Sequence, residues 1–288
     1  MYHDLKVAKF YQEDIAAHIF IDALQAVRYV HSMGIVHRDL KLSNFVFAKP
    51  YDNRNDFPPT LKLIDFPSPN FDERAHGSII DKLVLHYTGM QNVETSLARM
   101  CDGSSKVSSH YLIDGVGLIY QLVHEDKRAW HAGISYWAGQ TDINSQSIGI
   151  ELQNPGHEWG YQEYPEAQIE ALVGLATTIS KRYDISANQI LGHSDIAPER
   201  KQDPGELFPW GKIAKQNIGY WPTGELLDTP PTNSKSIVRI NLSLIGYNPK
   251  ASFAATVTAF QRHFRPSKVD GIVDAKTAQL VAACAKNT

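Results

Sequence analysis

Cysteine is scarce: Cys101 and Cys284 are the only two in 288 residues. Two thiols far apart, in segments of different character, do not make a disulfide framework, and their use leans towards a reducing compartment. An excess of either charge is also missing. With 28 Lys and Arg against 31 Asp and Glu, the formal net charge is -3, which gives the surface as a whole no attraction for nucleic acid. Nor is there a run of about 18 apolar residues, so no membrane span is expected. The N-terminus has no signal-peptide core, because Asp4, Glu13 and Asp14 interrupt its apolar residues. The missing signal and the two unpaired cysteines favour the cytoplasm, and a monomer is expected.

What is present is ordinary for a folded protein. Hydrophobic residues make up 43% and charged residues 20% of a chain long enough for one large domain or two unequal ones. Within residues 12–32, Ile15, Ala16, Ile19, Phe20, Ala23, Val27 and Val30 form a helical stripe. Two short β-like runs follow, FVF (45–47) and LKLI (61–64), separated by the turn-rich PYDNRNDFPP.

The character changes at Pro67. PSPNFDER reads as an extended entry, and LVLHYT (83–88), HYLID (110–114), LIYQLV (118–123) and SIGIELQ (147–153) read as strands. A long helix is expected over 165–182, with Pro165 and Glu166 where a helix start favours them. Strands and helices in alternation predict an α/β fold, a mixed sheet flanked by helices. Pro, Ser and Thr in TGELLDTPPTNSKS mark a linker at 223–236. Beyond it, Phe253, Val257, Phe260 and Phe264 fall at helical spacing, and Asp274 is placed to cap a last helix.

The stretch HRDLKLSN (37–44) matches a protein-kinase catalytic loop, with Asp39 in the place of the base and Asn44 in that of a magnesium ligand. HSMGIVHRDLKLSN and LKLIDF resemble the middle of a serine/threonine kinase over about residues 8–66. Phosphoryl transfer is mostly positioning, by a Gly-rich loop, a strand lysine and a metal-binding Asp-Phe-Gly. Here Asp65-Phe66 runs into Pro67, and too few residues precede His37 for a nucleotide-binding lobe. Residues 1–66 are therefore expected to be a truncated, non-functional kinase-like segment, loosely ordered unless docked on the rest. Ala197-Pro198-Glu199 imitates a further kinase signature inside an unrelated motif.

A different chemistry gathers around His86, at the end of LVLHYT, and around His193 and Asp203 in LGHSDIAPERKQDPGELFPW. Two imidazoles and a carboxylate are suitable zinc ligands, and three protein ligands leave a fourth position for water, as hydrolysis requires. No short regular spacing links the three, and among 12 histidines a given one is more often structural or merely exposed. Their surroundings decide the matter. LVLHYTG, SSHYLID, RAWHAG, SIGIELQN, LGHSDIAPERKQDPG and FPW, in that order within 67–222, closely resemble the type-2 family of zinc N-acetylmuramoyl-L-alanine amidases, related to peptidoglycan recognition proteins.

That resemblance implies His86, His193 and Asp203 as ligands of Zn2+ and peptidoglycan or a muropeptide as substrate, cut between N-acetylmuramic acid and L-alanine. It implies Glu151 as the general base and Lys201 as a donor to the oxyanion. Tyr87, His110, His131 and Asn154 are candidates for contact with substrate, though Tyr87 and Asn154 could equally orient their neighbours. His110 and Trp130 could serve packing alone. LSLIGYNP, AFQRHFRP and VDGIVDAKT resemble a three-helix peptidoglycan-binding domain, assigned to 237–288, which would raise the local substrate concentration. A non-catalytic peptidoglycan receptor on the same fold is the alternative, but such receptors usually lack a full ligand set. A regulatory pseudokinase fused to a wall enzyme is a second alternative. A fusion at Phe66-Pro67 that replaced a native leader would instead put the protein in the periplasm or at the cell wall.

Overall fold

A computed structural model of the chain describes residues 70–222 and 234–286, with Ser68, parts of a helix between 20 and 28, and the strands β1 (Phe45–Phe47) and β2 (Leu61–Leu63). The two strands pair antiparallel, with Val46 opposite Lys62. His37, Arg38, Asp39, Asn44 and the Asp65-Phe66 pair lie outside the described residues. Val27 packs against a small cluster of Leu97, Met100, Leu112 and Leu122.

The centre is a five-stranded mixed sheet. Strand β3 (Phe71–Glu73) pairs apart from it with β7 (Lys127–Ala129). In the sheet itself, β4 (Lys82–Tyr87), β5 (Tyr111–Ile113), β6 (Ile119–Gln121), β8 (Ser147–Leu152) and β9 (Ile190–Gly192) take the order β6-β5-β8-β4-β9. Only β6 runs antiparallel to its neighbour. The strands expected at 83–88, 110–114, 118–123 and 147–153 are present within a residue or two, as β4, β5, β6 and β8, whereas β7 and β9 were not foreseen, each being only three residues long.

Side chains alternate across this sheet with period two. Leu83, Leu85, Ile148, Ile150 and Leu152 form one core with Ile169, Leu172, Ala176 and Ile179. The last four come from a helix, Glu166–Tyr183, that starts at Pro165 and stops at Asp184 in the left-handed region, φ 54. In chain order the helices are α1 (Val93–Cys101), α2 (Ile143–Gln146), α3 (Gly156–Trp159), α4 (Glu166–Tyr183), α5 (His193–Ile196) and α6 (Trp210–Ile213). After 234 come α7 (Lys235–Ile245), α8 (Phe253–Phe264) and α9 (Ala275–Ala285), capped by Asp274, which accepts from Thr277 N–H at 2.9 Å.

The opposite face of the sheet carries Val84, His86, Gly149 and Glu151, since these are two apart and paired across β4 and β8: Val84 with Gly149, His86 with Glu151. Val84 and Leu191 there share a core with Val238, Leu242, Val257, Phe260 and Val281, so the C-terminal helices seat directly on the domain. Cys101 and Cys284 form no disulfide.

Two details shape this face. Arg74 runs inward, and its guanidinium donates to the carbonyls of Glu125, Asn144, Ser145 and Ser147 at 2.9–3.1 Å, tying β3 to the start of β8. At Gly149, a Cβ would lie 2.4 Å from Cγ of His131. The glycine inside an otherwise strand-forming run is there to admit that ring.

Gly149→Ala is expected to force His131 aside and destabilise the fold by about 1–3 kcal/mol, read as a lower midpoint in urea unfolding.

Candidate metal centre and cleft

Strand ends deliver the polar groups to one place. His86 is the penultimate residue of β4, Glu151 the penultimate residue of β8, and His193 opens α5 directly after β9. These are carboxyl ends of parallel strands, where open α/β sheets bind their ligands. Asp203 arrives from the loop beyond α5. Its carbonyl accepts from Ser194 N–H at 2.9 Å, and the next carbonyl, of Pro204, accepts from the hydroxyls of Tyr161 and Tyr164 at 2.7 Å.

His86 Nδ1, His193 Nδ1 and Asp203 Oδ2 form a triangle with sides of 2.9 Å. All three residues are buried, and among the described residues theirs is the one cluster of His, Cys, Asp or Glu placed to share a metal ion. The donor types, two imidazole nitrogens and a carboxylate oxygen, suit zinc.

Hydrogen-bond partners fix which nitrogens are free. His193 Nε2 lies 3.0 Å from the carbonyl of Ala132, which can only accept, so Nε2 carries the hydrogen and Nδ1 the lone pair. For His86 the ordering runs through two further groups. Ser147 donates its hydroxyl to the Ile143 carbonyl at 2.6 Å and so accepts from His131 Nε2 at 3.2 Å. That leaves His131 Nδ1 to accept from His86 Nε2 at 3.1 Å, and His86 Nδ1 to face the triangle with its lone pair.

Electrostatics agree. Burial first, then the neighbouring His193, pushes His86 down to about 4 against the pull of Asp203. Burial and then His86 lower His131 well below the ordinary histidine range. Both rings are thus neutral near pH 7.

Glu151 is 8% exposed, and its Oε2 is buried without a hydrogen-bond partner. Burial, then the charge of Asp203, raises its pKa well above the ordinary value, while Lys201 opposes the rise. A carboxylate with a free oxygen and a raised pKa is suited to take up a proton near neutrality.

These groups open onto a cleft of about 770 Å³, also lined by Tyr87, His131, His157, Trp159, Arg200 and Lys201. Tyr87 sits at its side, with its hydroxyl 2.9 Å from His157 Nδ1. Two residues expected to contact substrate do other work. His110 is fully buried; its Nδ1 accepts from Gly149 N–H at 2.9 Å and its Nε2 lies 3.1 Å from the Lys127 carbonyl, so the ring bridges neighbouring strands. Asn154, 1% exposed, spends its amide on the Gln162 carbonyl at 2.8 Å and on Gly156 N–H at 3.1 Å, holding the turn before α3. Trp130 donates its indole N–H to Asp72 at 2.7 Å.

Sequence reasoning missed His157 and Trp159, which sit in the glycine-bounded segment GHEWG just after β8. A polar and aromatic pair between two chain-bending glycines, a few residues beyond Glu151, was the available signal. Arg200 was missed as well: its guanidinium donates to the carbonyls of Ala132 and Ile134, beside Lys201 in the cleft wall.

Residues 76–206 match the family model described as N-acetylmuramoyl-L-alanine amidase, and residues 2–76 match that of the protein kinase domain. The amidase AmiD of Escherichia coli K12 is 39% identical over 229 residues, which is 71% of this chain and 82% of AmiD. A solved complex of E. coli AmiD with the substrate anhydro-N-acetylmuramic acid-L-Ala-D-γ-Glu-L-Lys aligns at a TM-score of 0.65 and 38% identity, covering 74% of this chain and 92% of that one. AmpDh3 of Pseudomonas aeruginosa, solved with anhydromuramic pentapeptide, aligns at 0.64 and 31% identity, covering 82% and 97%.

Ser147→Val, which removes the acceptor that orders His131, is expected to weaken zinc binding by roughly tenfold, whereas His193→Ala should abolish stoichiometric binding; competition with a chromophoric chelator measures both.

Proposed function

The chain belongs to the N-acetylmuramoyl-L-alanine amidase family, and on that premise we propose that it hydrolyses the amide between N-acetylmuramic acid and L-alanine using a zinc ion held by His86, His193 and Asp203. The observation that carries this reading is the unpartnered carboxylate of Glu151 on the strand beside His86, in the same cleft as the three candidate ligands. Bound there, zinc would polarise the scissile carbonyl and acidify a water for attack.

The remaining roles follow from position and charge. Glu151 takes the proton of the attacking water and returns it to the leaving amine of L-alanine, so that its carboxyl ends the cycle as it began. Lys201 places a cation on the cleft wall, where the carbonyl oxygen becomes an oxyanion. His131 holds His86 in the tautomer that keeps Nδ1 free. Tyr87 and His157 form one side of the cleft, and Trp159, 57% exposed, offers an aromatic face at its edge.

The solved relatives hold anhydromuramic peptides. We take the same class, an anhydromuramic acid carrying its stem peptide, as a substrate of this chain. Among the described residues, none before His86 lines the cleft. We read 67–222 as the catalytic domain and the helices after 234 as a module joined to it through 223–234; the linker expected over 223–236 ends earlier, because α7 starts at Lys235.

Incubation with a soluble anhydromuropeptide and with intact peptidoglycan, with zinc and with chelator, tests the activity. Zinc-dependent release of free stem peptide in the mass spectrum is expected; metal bound without release would point to a receptor. Glu151→Gln should keep its zinc and lose turnover by roughly 10²–10⁴-fold, and Lys201→Ala should lose roughly 10²–10³-fold in kcat.

A further inference from the structure

The segment that brings His193 and Asp203 together is gripped from outside the domain that contains it. Asp195, two residues after His193 and 1% exposed, accepts three hydrogen bonds. One comes from Gly192 N–H at 2.8 Å and closes the turn that presents His193. The other two come from the C-terminal helices: Tyr247 O–H at 2.6 Å and His263 Nδ1–H at 2.8 Å. A buried carboxylate stripped of two of three donors is costly, so the turn and the module depend on each other.

The grip extends to the other ligand. Arg262, next to His263 on α8, donates to Gln202 Oε1 at 3.2 Å and stands 3.7 Å from Glu206, on either side of Asp203. Between the two ligands, Glu199 accepts from Ser252 N–H at 3.0 Å. The seat is rigid, because the His263 ring stacks on Trp210 with centroids 3.8 Å apart and planes within 18°.

We propose that the C-terminal helical module is a positioning element of the metal centre: Tyr247 and His263 act through Asp195 on the turn that presents His193, and Arg262 braces the stretch that presents Asp203. The inference rests on His86, His193 and Asp203 being the zinc ligands. It gives the module a task that a tether to the wall does not have. A tether changes how much substrate the enzyme meets and leaves the metal indifferent, whereas a brace changes the metal site itself.

The test uses the full chain with Tyr247→Phe, His263→Phe and their combination. Each removes a donor to Asp195, and phenylalanine at 263 keeps the stacked ring. Zinc affinity by chelator competition, the visible spectrum of the cobalt-substituted protein, and kcat and KM on a soluble anhydromuropeptide are read together, with circular dichroism to establish folding. The combined variant is expected to bind zinc roughly 10–100-fold more weakly, with an altered cobalt spectrum, lower kcat and unchanged KM. His263→Asn, which keeps an N–H near the Nδ1 position, should recover much of the loss. If the combined variant does not fold, Tyr247→Phe alone is read, with a loss of roughly tenfold expected. Folded variants with native zinc affinity and an unchanged cobalt spectrum would overturn the proposal. A wild-type chain without zinc affinity would sink the amidase reading beneath it.

Discussion

Everything in the cleft depends on the parallel register of β4 on β8. That pairing sets His86 opposite Glu151 and Val84 opposite Gly149, so a candidate ligand and the candidate base leave the sheet on one face, side by side. A slip of one residue would turn one of the two into the apolar core formed with α4. The alternation that buries Leu83, Leu85, Ile148 and Ile150 on the far face is therefore also what aims the chemistry. Stability and catalysis are fixed by one pattern.

Around that register the polar groups are ordered by partners that have only one way to bond. A carbonyl settles His193, and a serine whose hydrogen is committed elsewhere settles His131 and, through it, His86. Two imidazole nitrogens and a carboxylate oxygen meet at one point. The loop carrying the third member is the least local part of the assembly, held by tyrosines of the same domain and by side chains of α8.

Much of this was legible in sequence because it is local. Short apolar runs marked four strands of the central sheet, Pro165 and Glu166 marked the start of α4, and Asp274 marked the cap of α9. The family of the chain was legible because several motifs recur in order. Contacts between distant segments were not. Nothing in SSHYLID distinguishes a histidine that touches substrate from one that accepts Gly149 N–H inside the sheet, and Asn154 sits beside the base in sequence yet points its amide into a turn. In AFQRHF, helical spacing accounts for Phe260 and Phe264, but it says nothing of His263 and Arg262, whose partners lie about sixty residues earlier.

Glu151 shows what such a site costs the molecule that carries it. An acid whose second oxygen is buried without a partner is a burden on the folded state, on the order of 1–3 kcal/mol for a group left unbonded, and a hydrophobic side chain of similar shape would spare the protein that burden. Selection for stability alone would not favour a glutamate here, so the burden is what the molecule carries to keep an acid free beside the candidate ligands.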